Sequence, residues 1–110
     1  MLESRFQSGL IKELKKKFPG CMVLKNDADY KQGIPDLLVL HENKWAALEC
    51  KRDIKAIEKS KVDQISQRRY VERMNGMSFA RYICPENKKE VLHELELAFK
   101  SDRETCPIQP

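Results

Sequence analysis

The sequence predicts an α/β (or α+β) sandwich, a central mixed β-sheet with helices against it, in the order α-β-β-β-α-β-α. Three observations predict it. An apolar stripe at helical spacing runs through each end of the chain. Two β-rich apolar runs in the middle are joined by a short polar turn, which is a hairpin pattern. A further helical stretch separates that hairpin from one more alternating strand, which can then join the sheet by a crossover.

The elements follow in order. Leu2 to Phe18 reads as a helix, because Leu2, Phe6, Leu10, Leu14 and Phe18 recur every four residues with Ile11 beside them. Pro19-Gly20 stops it. Cys21 to Lys25 is a short strand, and the polar stretch Asn26 to Gln32 is a loop. Ile34 to Leu40 is apolar and β-branched, hence a strand; His41 to Lys44 turns the chain, and Trp45 to Lys51 returns as its hairpin partner. Arg52 to Ser60 is charged and gives no settled reading. Val62 to Asn75 is a second helix, with Asn75-Gly76 suited to its C-cap. Ser78 to Cys84 alternates as a strand, and Pro85-Glu86-Asn87 is a turn. Lys88 to Lys100 is a final helix with Val91, Leu92, Leu95 and Phe99 on one face. Residues 1–100 are expected to form a single domain, and 101–110 a flexible C-terminal tail without periodicity.

Composition bounds the partners. A chain of 110 residues can bury one core without needing a disulfide or structural metal. The net charge of +4 permits a nucleic-acid partner without demanding one. Basic residues gather in three places: Lys12 and Lys15 to Lys17; Lys51, Arg52, Lys55, Lys59 and Lys61; and Arg68 with Arg69. Any one such run alone is more often a solvated face than a binding surface. Cys21, Cys50, Cys84 and Cys106 form no C-x-x-C pair, and neither histidine stands at zinc-ligand spacing from them. They read as free thiols in a reducing compartment. No secretory or membrane-spanning run is present, so a cytoplasmic location is expected (host cytoplasm if the source is a virus), with no membrane partner and no organic cofactor.

The hairpin carries the chemistry. Asp36 opens an otherwise apolar strand, and the returning strand ends in Glu49-Cys50-Lys51. Residues i and i+2 of a strand share a face, so Glu49 and Lys51 lie together. A two-residue loop at Glu42-Asn43 sets Asp36 opposite Glu49, and one at Asn43-Lys44 sets it opposite Lys51. In both registers the three side chains share one side of the sheet, whereas a three-residue loop sends Asp36 to the other. Two carboxylates this close repel, and burial makes the repulsion worse. A divalent cation supplies the missing charge, and hard oxygen ligands suit Mg²⁺ or Mn²⁺. Lys51 adds a positive charge able to orient an attacking water at a phosphate.

The first helix offers a fourth member. At about 100° per residue, Glu3 falls at the centre of the Phe6, Leu10, Leu14, Phe18 stripe, while Glu13 lies at its edge. A carboxylate in a packing stripe fits a side chain aimed at the charged site; the competing reading is a first-turn acid favoured by the helix dipole. Trp45, Tyr30 and Tyr70 read as packing residues, the tyrosines also as candidates for stacking on bases.

Pro35-Asp36, followed thirteen residues later by Glu49-x-Lys51, resembles the motif of the PD-(D/E)xK nuclease superfamily. Gly33-Ile34-Pro35-Asp36-Leu37-Leu38 is closer still to its VRR-NUC branch, which includes small virus-type nucleases and Holliday-junction resolvases. The resemblance spans residues 3 to about 99 and implies a restriction-endonuclease-like core. It implies Mg²⁺- or Mn²⁺-dependent phosphodiester hydrolysis, with metal contacts from Asp36, Glu49 and the backbone carbonyl of Cys50. It also implies a catalytic set of Glu3, Asp36, Glu49, Lys51 and a glutamine on the helix after the E-x-K strand. Gln67 is favoured for that role and Gln64 remains open. Lys25, Lys31, Arg52 and Lys55 flank the site and suit DNA phosphates. The expected substrate is branched or four-way-junction DNA cut by a homodimer, because symmetric cuts require two sites about a two-fold axis. The alternatives are a nicking or degradative DNase of the same fold, or a nucleic-acid-binding module without catalysis.

Overall fold

The structure is a computed structural model that describes residues 3–26 and 33–101. Tyr30, Lys31, Cys106 and the expected tail beyond residue 101 lie outside the described residues.

Helix α1 (Glu3–Lys17) forms where the four-residue recurrence places it, and it buries Phe6, Leu10 and Leu14. Its last turn carries Lys15, Lys16 and Lys17, which suit the negative end of the helix dipole. Gly20 follows at φ +90°, a left-handed turn that glycine tolerates and most residues do not. Strand β1 (Met22–Lys25) then runs antiparallel to β2 (Leu37–His41), and β2 pairs antiparallel with β3 (Lys44–Cys50).

The hairpin uses the two-residue loop Glu42-Asn43, with His41 paired to Lys44 and Leu37 to Leu48. Glu42 sits at φ 59°, the positive value that tight hairpin turns demand at their first central residue. Of the two registers open in the sequence, this one sets Asp36 opposite Glu49.

After β3 the structure departs from the sequence reading. The charged stretch left unsettled is a regular helix, α2 (Ile54–Asp63), and α3 (Ile65–Met77) follows at once. Asp53 caps α2, its side chain accepting the Ala56 N–H at 2.8 Å, and Glu86 accepts the Ile54 N–H at 2.8 Å. Gln64, at φ −120° and ψ 76°, breaks the path between the two helices. Strand β4 (Ala80–Ile83) then lies parallel to β3, as a crossover allows, and α4 (Lys88–Lys100) closes the fold.

The result is an α/β fold with one mixed four-stranded sheet in the order β1-β2-β3-β4 and helices on both faces. Helices α1 and α4 pack one face, where Leu37, Val39, Leu48, Cys50 and Ile83 meet Leu10, Leu14, Leu95 and Phe99. Lys88 bridges the two helices by reaching Glu13 at 2.8 Å. Helices α2 and α3 cover the other face over β3 and β4, with Ile57 and Val71 against Ala47, Ala80, Tyr82 and Cys84. Cys50 and Cys84 are buried and free, as expected of small apolar side chains in a core. Among the described residues, no helix is long and apolar enough to cross a membrane.

Candidate active site

Strand alternation puts Leu37, Val39, Leu48 and Cys50 toward α1 and α4. It therefore turns Asp36, Glu49 and Lys51 toward α2 and α3. Three local features hold them there. Asn26 follows β1 and ties down the approach to β2: its N–H donates to the Asp36 carbonyl at 2.9 Å, and its side-chain amide donates to the Pro35 carbonyl. Pro35 is itself fully buried, which fixes the approach to Asp36. Gly33, at φ +92°, lies against the first turn of α3. A Cβ there would stand 3.3 Å from the Gln67 nitrogen and from two atoms of Ser66. The glycine of Gly33-Ile34-Pro35-Asp36 is thus demanded twice, by its backbone angle and by the closeness of α3.

The two carboxylates interlock through the backbone. The Asp36 N–H donates to Glu49 Oε1 at 3.1 Å, and the Cys50 N–H donates to Asp36 Oδ2 at 3.0 Å. On the other oxygen, Glu49 Oε2 accepts from Gln67 Nε2 at 3.0 Å and lies 3.6 Å from Lys51 Nζ. Glu49 is only 4% exposed, while Asp36 is half-buried.

Burial and mutual repulsion leave their mark on protonation. Burial first, and the neighbouring Asp36 second, push Glu49 up to about 8, against the opposing pull of Lys51 and the Asp36 N–H. Burial also raises Asp36, opposed by the Cys50 N–H and by Lys51. The Cys50 thiol is pushed well above its ordinary range by burial and then by both carboxylates. It stays protonated and unreactive, so only the backbone of Cys50 can take part in chemistry.

This donor set fits a hard divalent cation. Ionised together, the two carboxylates would carry more negative charge than Lys51 offsets, and a cation between them would let Glu49 give up its proton. Among the described residues no group of three or more His, Cys, Asp or Glu side chains forms a metal cage. A pair of carboxylates with a backbone carbonyl is a sparse set, which suits Mg²⁺ because that ion keeps several waters and takes phosphate oxygens.

Beside Lys51 opens a cavity of about 550 Å³, lined by Glu3 from α1, by Lys51 and Arg52, and by Lys55, Lys59 and Gln64. Glu3 is exposed at its rim, so the helix stripe brings it to the cavity rather than into the carboxylate pair. Its charge reaches the Cys50 thiol. Glu13 is spent on Lys88 and lies away from the site. Of the two glutamines, the buried Gln67 touches Glu49, and Gln64 marks the break between α2 and α3. Lys25 acts on Asp36 from the end of β1, and Arg52 is exposed with Asp53 beside it at 3.8 Å.

No protein-family model, no curated protein and no solved structure matches this chain. Its geometry alone must carry the functional reading.

Apart from Lys55, sequence reasoning missed the α2 wall of the cavity. Lys59, Ser60 and Asp63 line it, and none was singled out with the site residues. The available signal was Asp53, three residues before Ala56, as an N-cap ahead of Ile54 and Ile57.

Proposed function

We propose that this chain is a Mg²⁺- or Mn²⁺-dependent DNA endonuclease that hydrolyses phosphodiester bonds in branched DNA, with four-way junctions as the preferred substrate and a homodimer as the working form. The observation that carries the reading is the interlocked pair Asp36 and Glu49, with Lys51 and Gln67 on one oxygen of Glu49.

Asp36, Glu49 and the Cys50 carbonyl would hold the cation. When bound, it supplies positive charge against the scissile phosphate and against the carboxylates. Gln67 fixes the Glu49 carboxylate, so its free lone pairs keep one direction. Lys51 Nζ stands where it can hold the attacking water and offset charge that builds on the phosphate oxygens. The water oxygen bonds to phosphorus and gives up a proton to solvent, the bond to the leaving sugar oxygen breaks, and that oxygen takes up a proton from solvent. Lys55 brings positive charge to the neighbouring cavity beside Arg52 and Lys59, which are paired with Asp53 and Asp63, and this suits the continuing sugar-phosphate backbone. Glu3 at the rim limits how close a phosphate comes from the α1 side. Cutting opposed strands of a junction symmetrically asks for two copies of the chain.

The test is cleavage of a four-way junction beside a linear duplex of the same sequence, with Mg²⁺ or with EDTA. The reading expects junction-selective cutting that needs metal and is lost in Asp36→Ala. Equal cutting of the linear duplex would leave a general nicking or degradative DNase. Binding without cleavage in either metal would replace the enzyme with a nucleic-acid-binding module.

A further inference from the structure

Gln67 gives its Nε2 to Glu49 and keeps its Oε1 buried without a hydrogen-bond partner. Tyr82 is also buried, at 7% exposure, and its hydroxyl too is without a partner. Both residues stand against the same carboxylate from different elements. The parallel register of β3 and β4 sets Tyr82 beside Glu49 on the face that α3 covers, and Gln67 comes down from α3 itself.

The two orphan groups are complementary. An amide oxygen only accepts, and a phenol has one O–H to give. Burial, and after it the Glu49 charge, pushes the Tyr82 hydroxyl above its ordinary value, so it remains a donor across the neutral range. Leaving each group unpaired in the interior costs about 1–3 kcal/mol. A phenylalanine would fill the same space against Ile57 and Val71 without that cost. An acceptor and a donor both shut off from solvent can be joined by one ordered water.

We infer that Tyr82 is a positioning residue for Glu49: its hydroxyl, through one buried water, holds the Gln67 amide oxygen and so keeps Nε2 turned toward Glu49. Without that hold the amide is free to turn over and withdraw Nε2 from Glu49 Oε2. The consequence for metal binding rests on the nuclease reading, but the link between Tyr82 and Gln67 does not.

The test uses the metal-free protein. Side-chain amide NMR signals of Gln67 are followed in the wild type, in Tyr82→Phe and in Arg68→Lys. Arg68 is the control because its charge also reaches the Tyr82 hydroxyl and its own buried Nε is unpaired. Tyr82→Phe should speed exchange of the Gln67 amide protons about tenfold, the effect of losing one ordinary hydrogen bond, while Arg68→Lys leaves them unchanged. Unchanged Gln67 signals in Tyr82→Phe overturn the inference, as does a change produced by Arg68→Lys alone. A Mn²⁺ titration then reads the consequence. Tyr82→Phe should weaken binding about tenfold, the usual effect of losing a group that orients a ligand. A wild-type chain that shows the amide effect yet binds no Mn²⁺ counts against the nuclease reading and leaves the link standing.

Discussion

Between the sheet and the α1/α4 layer, Leu10, Leu14, Leu37, Val39, Leu48, Leu95 and Phe99 close into a continuous apolar interior. Across the same strands, the α2/α3 layer offers a smaller apolar cluster around Ile57, Val71 and Tyr82, and it encloses Glu49 and Gln67 beside it. One side of β3 therefore gains stability from burial, while the other gives up stability by burying Glu49 next to Asp36. The lesson is that the hydrophobic layer holds the strands in a register that the charged layer, left to itself, would resist.

The contrast can be broken most sharply at Glu49. Glu49→Gln removes the ionisable carboxyl but keeps the shape, and the Gln67 amide can turn its oxygen to the new amide nitrogen. Cleavage of a metal-dependent substrate should fall by a factor on the order of a thousand, while the midpoint of thermal unfolding holds or rises. A large loss of stability in that variant would mean the carboxylate is a structural pillar instead.

On the opposite side, Leu14→Ala should cost about 2–5 kcal/mol in denaturant unfolding, because Leu14 is fully buried and its neighbours cannot all close the gap. Its cleavage rate should stay near the wild-type value wherever the chain remains folded. Comparable loss of rate in the folded variant would show that the layers are not separable.

Acidity sharpens the same comparison. Glu49 stands at about 8 in the folded chain against its ordinary 4.5, so the folded state binds the proton more tightly than the unfolded state does. The contribution to stability is complete below the ordinary value and is lost as pH rises through about 8. Metal-free protein should therefore melt at lower temperature at pH 8.5 than at pH 5.5. Glu49→Gln should flatten the slope, and Mg²⁺ should restore more of the melting temperature at the higher pH. A metal-free melting temperature that climbs between those values would contradict the tighter hold on the Glu49 proton in the folded chain.

Gly33→Ala probes the seam where the two layers meet the motif. Its left-handed φ and its 3.3 Å approach to the Gln67 nitrogen predict a loss of about 1–2 kcal/mol, with a smaller loss of cleavage as Gln67 shifts. The smallest effect belongs to Lys55→Ala at the cavity. There the salt dependence of DNA binding should lose about one unit of slope, with little change in stability.

How much of this was legible in the sequence depended on which side of the strands a residue faces. The Phe6, Leu10, Leu14 stripe and the Val91, Leu92, Leu95, Phe99 face announced α1 and α4, because large apolar surfaces must follow the helical period. The pairing of Asp36 with Glu49 was legible to within two registers, and the positive φ of Glu42 decided between them. Helix α2 escaped because it buries only Ile57 and Ser60, leaving Ile54 and Val62 largely outside. Such a helix is set by its Asp53 cap and by the Glu86 contact from a distant turn, neither of which leaves a period. The sequence favours Gln67 over Gln64 and leaves both open; in the structure Gln67 touches Glu49 and Gln64 marks the break between α2 and α3, a backbone feature that composition does not encode. Glu3 lies in the first turn of α1 and is exposed at the cavity rim, where a packing stripe gives no measure of burial.

Calorimetric titration of Mn²⁺ at pH 7, repeated in two buffers of different ionisation heat, tests most directly whether Asp36 and Glu49 form a cation-requiring pair. With Glu49 at about 8 before binding, each ion bound should release close to one proton, and Asp36→Asn should abolish the binding. Absence of binding, or binding that releases no proton and survives Asp36→Asn, would contradict it.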